Sequence, residues 1–222
     1  MDDSILEALG VCPLFNGMTT GDITAVMTDI AYRTTYLEKG EPCVLSGERL
    51  THLDIIVTGE MTARMMGASG RMVEVIRWQR GGMLTPGFIF ASDNTLPVTL
   101  EAATEVKLLR LSAGALERLI HADLRIQTNY IRRLSDIVAF LAERLRFLAL
   151  LTVREKVACA IIAEARAQQS RTIVLRRSRQ AIADSFGIQK FSLMRCLADF
   201  VAKGAIRVEG RAITILNSDK MK

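Results

Sequence analysis

Closely spaced cysteines are missing from this chain of 222 residues. The four cysteines lie far apart in sequence, and no two of them form a C-x-x-C pair; they are Cys12, Cys43, Cys159 and Cys196. A zinc ribbon or a cysteine-ligated iron–sulfur cluster needs such pairs, so neither is expected. We expect four reduced thiols, most of them buried.

Long apolar runs are also missing, although 50% of the residues are hydrophobic. No run approaches the roughly 18 to 20 apolar residues of a membrane span. The start, residues 1–10, is acidic and has no apolar core of the kind that secretory signals carry. We therefore expect a cytoplasmic protein without a membrane partner, large enough for one large domain or two small ones.

Recognisable catalytic patterns are absent as well. The only two histidines are His52 and His121. The sequence shows no Ser/His/Asp or Cys/His arrangement, no phosphate-binding glycine loop and no metal-ligand cluster. We expect that the protein is not an enzyme.

Positive charge is concentrated in the last third of the chain. Residues 1–149 hold 15 Lys and Arg against 18 Asp and Glu, whereas residues 150–222 hold 14 against 6, a balance of +8. Basic side chains that replace counterions on DNA add affinity whatever the base sequence, so this segment suggests phosphate contacts. A merely basic surface is the alternative.

Short β-type runs fill residues 34–111, after two short helices predicted at 4–9 and 20–30. Turn residues separate the runs, and Gly67–Gly70 is predicted to form a hairpin tip. Many short strands at this spacing favour a sandwich or barrel over a parallel sheet. The clearest runs are Thr35–Leu37, Leu53–Val57, Met61–Met66, Met72–Trp78 and Val106–Leu111.

A long helix is predicted from about residue 123 to 151, where neither Pro nor Gly occurs. Its apolar residues follow a heptad spacing typical of a parallel dimer helix, although a lone helix packed on its own domain shows a similar pattern. The seam consists of Ile131, Leu134, Val138, Leu141, Leu145 and Leu148.

The C-terminal segment has the order of a winged helix-turn-helix. A helix capped by Thr152 and Glu155 is predicted over 152–168, then a strand at 172–175. Helices at 179–186 and 190–203 flank a turn at Gly187, and strands at 205–208 and 212–216 form a wing around Gly210. Any compact pair of helices would share some of these signals.

In a helix-turn-helix, the start of the second helix enters the major groove of DNA. We therefore expect Gln189, Lys190, Ser192 and Arg195 to face bases or phosphates. The remaining predicted DNA contacts lie near the first helix or on the second; they are Arg176, Arg177, Arg179, Gln180 and Phe191.

The chain resembles the cyclic-AMP receptor protein and fumarate–nitrate reductase regulator (Crp/Fnr) superfamily. The matching stretches are Leu37–Glu41, Ile55–Glu60 and Arg179–Ala183. The resemblance implies an α+β fold with an N-terminal double-stranded β-roll (a cupin-like jelly roll), a dimerisation helix and a winged helix-turn-helix. It implies domains at 1–122, 123–151 and 152–222, a homodimer on a palindromic DNA operator, and RNA polymerase as a further partner.

The recognition helix departs from the family pattern at one position. Family members often carry Ser-Arg-Glu-Thr followed by an arginine, and the run here is Gln189-Lys190-Phe191-Ser192 followed by Arg195. In the family, an acidic residue at the position of Phe191 typically contacts cytosine, so the operator of this protein should differ from the best-known one. Its ring would either contact a thymine methyl group or pack within the domain.

The effector site departs further. Cyclic-nucleotide members hold their ligand with a Gly-Glu-Leu segment and a later arginine. Here Pro86 replaces the glutamate, and no arginine lies between Arg80 and Arg110. A buried phosphate would lack a charge partner, so cyclic AMP is not expected.

An apolar cassette replaces these polar residues, which suits a flat apolar cofactor. The chain resembles haem-dependent nitric-oxide sensors such as the regulators of hybrid-cluster-protein genes, and this implies haem. Met66 is the first candidate axial ligand, with Met65 and His52 next, and Met83, Phe88 and Phe90 are expected to line the pocket. Alternatives are another apolar effector, or a regulatory subunit acting on a protein partner. Strand methionines are more often core residues, and both histidines more often lie at the surface.

Overall fold

A computed structural model describes residues 1–66 and 72–221. The chain divides into two compact units, residues 1–138 and 139–222. The division falls inside the long helix rather than at either of its ends. The functional division at 122 and 151 therefore stays a prediction. Within the described ranges, no helix is both long enough and apolar enough to cross a membrane.

In the described part of the N-terminal unit, two helices come first, seven strands follow, and a further helix leads into the long one. A single 3-10 turn, Pro13–Phe15, joins the first two helices. The elements are α1 (Asp3–Val11), α2 (Thr20–Met27), β1 (Arg33–Leu37), β2 (Pro42–Val44), β3 (His52–Thr58), β4 (Met61–Met66), β5 (Met72–Trp78), β6 (Thr99–Ala102), β7 (Val106–Ser112), α3 (Ala113–Ala122) and α4 (Leu124–Leu150).

Two antiparallel sheets build this unit. One has the order β1-β7-β3 and the other the order β2-β6-β4-β5. The buried residues of the two sheets belong to a single core. Its members include Ile55 and Leu108 from the first sheet and Ala63 and Leu100 from the second. This is the two-layer arrangement that the alternating apolar pattern predicts.

Strand β3 is buried along its whole interior, from Leu53 to Val57. One face meets the core between the sheets, and α1 packs against the strand as well. Asp54 is the polar exception, with only 3% of its surface exposed. A carboxylate at such a position requires partners, because burying an unpaired charge is costly.

Helix α4 carries the predicted dimer seam. Leu134 is half-buried and packs against the N-terminal core. The other five seam residues are exposed, and Leu145 is the most open at 67%. Such a row of exposed apolar side chains on one helix face is typical of a surface that another protein surface covers.

In the described part of the C-terminal unit, the end of α4 is followed by three helices and a small sheet of order β8-β10-β9. The capping box predicted at Thr152 and Glu155 is present at the start of the first of these helices. The elements are α5 (Val153–Ala167), β8 (Thr172–Val174), α6 (Arg179–Ser185), α7 (Lys190–Ala202), β9 (Ile206–Glu209), β10 (Ala212–Ile215) and a terminal 3-10 turn (Ser218–Met221).

A buried lysine connects two parts of this unit. Lys156 on α5 is only 8% exposed. Its Nζ donates to the carbonyl oxygens of Leu148, at 2.9 Å, and of Phe186, at 3.4 Å. The cation thus lies at the C-terminal end of α4, where the helix dipole favours positive charge. It also contacts the turn that follows α6.

The predicted α+β fold is confirmed, including the two-sheet domain, the long helix and the winged helix-turn-helix. The sequence reading missed the short strands β2 and β6 and did not separate α3 as its own helix. The predicted hairpin tip at 67–70 lies outside the described residues. His121, predicted in a connection, lies in the last turn of α3, and its side chain is exposed as expected.

Candidate nucleic-acid interface

The turn between α6 and α7 is fixed by its backbone. Gly187 has φ +64°, in the left-handed region that glycine adopts without steric cost. The amide of Ile188 donates to the carbonyl of Ala183 at 3.1 Å, and that of Gly187 to Asp184 at 3.2 Å. This pair of bonds is a Schellman motif, which ends α6 and redirects the chain into α7.

The inner face of this turn is well packed. Ala183 is fully buried, as its small size predicts, and Leu193 and Leu197 of α7 lie in the same core. Ser178 caps α6 by accepting a hydrogen bond from the amide of Ala181 at 3.1 Å. A packed and capped scaffold holds the start of α7 in a defined position.

The start of α7 presents the predicted DNA-contacting side chains to solvent. Gln189, Lys190 and Arg195 are exposed, and Ser192 is half-buried. Gln189 takes the N-cap position without a side-chain capping bond, which leaves its amide group available. Amide and basic groups at the start of a helix can donate to phosphates and to base edges.

Phe191 is 73% exposed, so its ring does not pack into its own domain. The contact of this ring with a thymine methyl group stays a prediction.

The arginines near α6 take part in bonds within the domain. Arg179 Nη2 donates to the carbonyl of Gly210 in the wing turn at 2.8 Å, and its Nη1 lies 3.4 Å from Met194 Sδ. Arg177 Nη2 donates to the carbonyl of Ala181 at 3.0 Å. Gln180 donates to Asp184 Oδ1 at 2.7 Å. These side chains brace α6 and the wing, whereas Arg176 is exposed.

The predicted effector residues divide between core and surface. Met83 is 1% exposed and belongs to the packed core, and Phe88 packs against that core. Met65 on β4 is 41% exposed and Phe90 is 50% exposed. The side chain of Met66 lies outside the described residues. The described members of the set therefore differ widely in exposure, and their role in a haem pocket stays a prediction.

The loop that carries Pro86 is held against α4. Tyr130 Oη donates to the Pro86 carbonyl at 2.8 Å, and its ring meets Phe90 edge to face at 6.1 Å between centroids. Thr85 has φ +47°, which is strained for a non-glycine residue. The hydroxyl of Thr85 is buried without a hydrogen-bond partner among the described residues. This loop therefore combines a strained backbone angle with a buried hydroxyl group that has no partner among the described residues.

His52 was predicted as a surface loop residue or a haem ligand; it does not lie in a loop, and its role as a haem ligand stays a prediction. It is the first residue of β3, its side chain is 18% exposed, and its Nε2 lies 3.3 Å from Asp54 Oδ2. Together with Cys43, these residues bring three possible metal ligands close to one another. The sequence spacing showed no metal-ligand pattern, and it is the fold that brings these three residues together. One sequence signal was available, because His52 and Asp54 are two apart and share a strand face.

Comparison with known proteins identifies the C-terminal domain. Residues 147–222 match the family described as the Crp-like helix-turn-helix domain. A search of curated proteins finds no match to the sequence.

Solved structures extend the likeness to most of the chain. A CooA mutant from Carboxydothermus hydrogenoformans is similar with TM-score 0.64 and 14% identity, covering 100% of this chain and 95% of that one. The c-di-GMP responsive global regulator CLP from Xanthomonas campestris gives 0.62 and 18%, covering 89% and 99%. A protein described as a transcriptional regulator of the crp/fnr family, from Eubacterium rectale, gives 0.60 and 18%, covering 94% and 95%. At these identities the fold is what is shared, so residues 147–222 are a Crp-like helix-turn-helix domain within a chain that has the fold of the Crp/Fnr regulators.

Proposed function

We propose that this protein is a homodimeric transcription regulator that binds a palindromic DNA operator through α7. The observation that carries the proposal is the exposed start of α7, where Gln189, Lys190 and Arg195 stand free of the domain core. The match of residues 147–222 to the Crp-like domain supports it. The +8 balance of residues 150–222 supplies the phosphate affinity that such binding needs.

Dimerisation follows from the seam on α4. Its exposed leucines would cover one another in a second copy of the helix, which removes apolar surface from water. A dimer with two-fold symmetry presents two α7 helices, and this is why the operator should be palindromic. RNA polymerase is the further partner we propose if the bound regulator activates transcription.

DNA binding is tested by fluorescence anisotropy on genomic fragments selected by the purified protein. Lys190→Ala should weaken binding and lower the slope of log affinity against log salt by about 1 for each lost phosphate contact. Arg166→Ala is the matched control. Arg166 is exposed on α5, so its replacement also removes one positive charge but does so away from α7. The control should bind as wild type, apart from a small general charge effect.

If a selected fragment binds the wild-type protein and both variants with equal affinity, the result would contradict DNA recognition by α7. Failure of the wild-type protein to select any fragment would favour the second candidate function. In that case the N-terminal unit regulates a protein partner, and the C-terminal unit serves as a docking module.

For the effector, we propose an apolar small molecule bound by the N-terminal unit near the loop 83–90. The strained Thr85 and the contact of Phe90 with Tyr130 support this loop as the responsive element. Haem with nitric oxide is the specific candidate that the sequence suggested. Cyclic AMP is not proposed, since Pro86 replaces the ribose-binding acid.

Haem is tested by titrating the purified protein and following the Soret band. A shift that His52→Ala or Met66→Ala removes would identify an axial ligand. No shift, or a shift that survives replacement of His52, Met65 and Met66, would exclude haem at this site. An apolar effector of another class would then remain, to be sought by its effect on operator affinity.

A further inference from the structure

A compact group of polar side chains lies between the edge strands of the two N-terminal sheets. Cys43 comes from β2, which is the edge of one sheet, and His52 and Asp54 come from β3, the edge of the other. Arg110 on β7 is the cross-strand neighbour of Asp54. A thiol, an imidazole, a carboxylate and a guanidinium group therefore lie together where the two sheets face each other.

Asp54 Oδ2 is the atom that the other groups share. It lies 3.3 Å from Cys43 Sγ and 3.3 Å from His52 Nε2. The three donor atoms all lie within 4.8 Å of one another. Ligands around a tetrahedral zinc ion stand about 3.3 to 3.8 Å apart, given metal–ligand distances of 2.0 to 2.3 Å. The donors are thus close to the spacing that a metal needs.

The ring of His52 is oriented for coordination. Its Nδ1 lies 3.1 Å from the hydroxyl of Thr51, which can accept a hydrogen bond from an Nδ1–H group. In that tautomer Nε2 has the free lone pair, and this atom is buried 3.3 Å from Asp54 Oδ2. A lone pair and a carboxylate oxygen at this distance repel each other unless a cation lies between them. An outer hydrogen bond that sets the tautomer is the usual companion of a metal-binding histidine.

Arg110 adds a positive charge to this group of side chains. Its Nε donates to Asp54 Oδ1 and its Nη2 to Asp54 Oδ2, both at 2.8 Å, and Nη2 also lies 3.2 Å from Cys43 Sγ. An entering cation would replace Nη2 at Oδ2 and Sγ, while the bond from Nε to Oδ1 could stay. Arg110 would then act as the outer partner that holds the carboxylate in place.

We propose that Cys43, His52 and Asp54 form a binding site for a divalent transition metal, with Zn²⁺ as the best-matched ion. Thiolate sulfur, imidazole nitrogen and carboxylate oxygen together suit zinc, whereas magnesium and calcium prefer oxygen alone. Binding forms the Zn–S bond as the thiol proton of Cys43 leaves to solvent. Three protein ligands leave a fourth position for water or a small ligand.

The site goes beyond the proposed regulatory function and does not depend on it. It would tie the edges of the two sheets together, so that metal binding stabilises the N-terminal unit by mass action. The loss of a metal ligand is measured by metal binding alone, so the test of this site is separate from any DNA measurement.

The test uses the full chain, stripped with a chelator and titrated with Co²⁺ as a spectroscopic substitute for Zn²⁺. We expect one equivalent per chain, an absorption band from thiolate-to-cobalt charge transfer, and loss of the band when Zn²⁺ is added. Cys43→Ser should remove the band. His52→Gln, which keeps the side-chain volume, should weaken binding at least about tenfold, as loss of a ligand does.

Cys159→Ser is the matched control, since Cys159 is an exposed thiol on α5 in the other unit. It should leave the stoichiometry and the band unchanged. Thermal unfolding without metal identifies any variant that fails to fold, and His52→Gln then carries the test in place of Cys43→Ser. No band in the wild-type chain, or a band that survives in both ligand variants, would overturn the proposal.

Discussion

Gly59 and Gly187 have the same backbone requirement in different surroundings. Their φ angles are +85° and +64°, so both occupy the left-handed region. A Cβ at Gly187 would meet nothing within 4 Å. At Gly59 it would lie 2.1 Å from the carbonyl oxygen of Glu105, which is backbone and cannot move aside cheaply.

The two alanine substitutions should therefore lower the free energy of unfolding by different amounts. Gly187→Ala should lower the free energy of unfolding by about 1 to 2 kcal/mol, the cost of a left-handed L-residue. Gly59→Ala adds a backbone clash and should destabilise the N-terminal unit considerably more. Urea unfolding followed by circular dichroism measures both, and similar effects would show that sterics at Gly59 contribute little.

Lys156 has a structural role that its charge alone would not suggest. Its Nζ satisfies carbonyls at the end of α4 and after α6. Lys156→Met keeps the length of the side chain but leaves both carbonyls without this donor, so stability should fall by about 1 to 3 kcal/mol. Lys203→Met is the control, because Lys203 is exposed and its contact with Asp199 is 3.5 Å long.

The control should stay within about 0.5 kcal/mol of wild type, as is usual for surface substitutions. Denaturant midpoints of the two variants decide the matter. Equal midpoints would mean that water replaces the lysine donor without cost.

Helix α4 carries a prediction about assembly. Leu141 lies on the seam, while Ala139 lies on another face of the same helix, and both are exposed. Leu141→Glu should shift the protein from dimer to monomer, since it places charges opposite each other in the seam. Ala139→Glu makes a charge change of the same sign and should leave the dimer intact.

Sedimentation velocity over a range of protein concentrations measures this difference. A wild-type chain that stays monomeric, or a Leu141→Glu chain that stays dimeric, would contradict the seam. The alternative reading, a helix that packs only on its own domain, predicts that outcome.

Local patterns explain which elements could be predicted. Strands β4 and β5 and the turn at Gly187 each follow from neighbouring residues, and their positions were right. Strand β2 is only Pro42–Val44, too short for an alternating pattern, and its proline argues against a strand. The group around Asp54 was missed for a different reason. Its members come from three strands, and only the folded topology brings Cys43 and Arg110 to the same place.

The seam and the loop 83–90 show why composition alone does not determine the role of an apolar segment. Heptad spacing predicted an apolar row on α4, because it depends on helix geometry alone. Five of the six residues in this row are exposed, Leu134 packs against the N-terminal core, and the role of the row as a dimer seam stays a prediction. An apolar cassette, in contrast, is compatible with a cofactor pocket or with ordinary core packing. Met83 belongs to the second case, since it is 1% exposed within the core.

At the scale of the whole molecule, two-fold symmetry predicts the spacing of the operator. The centres of its half-sites should lie about one helical turn apart, roughly 34 Å. Inserting about 5 base pairs between the half-sites places them on opposite sides of the duplex, and affinity should fall to the nonspecific level. Substituting the same number of bases at the centre, without insertion, is the control.

Anisotropy titrations at one fixed salt concentration compare the three duplexes, because affinities at different salt are not comparable. Equal binding of the inserted and the original duplex would indicate that each α7 helix binds independently.

The small sheet of the C-terminal unit has a consequence for how the protein is made. Its middle strand, β10, is the last of the three along the chain, and it pairs with both β8 and β9. On the ribosome, the domain cannot complete this sheet until Ile215 has left the exit tunnel, whereas the N-terminal unit can fold much earlier. The nascent chain would thus carry a folded N-terminal unit before its Crp-like helix-turn-helix domain is complete, and a product that ends before β10 would lack the middle strand of that domain's sheet.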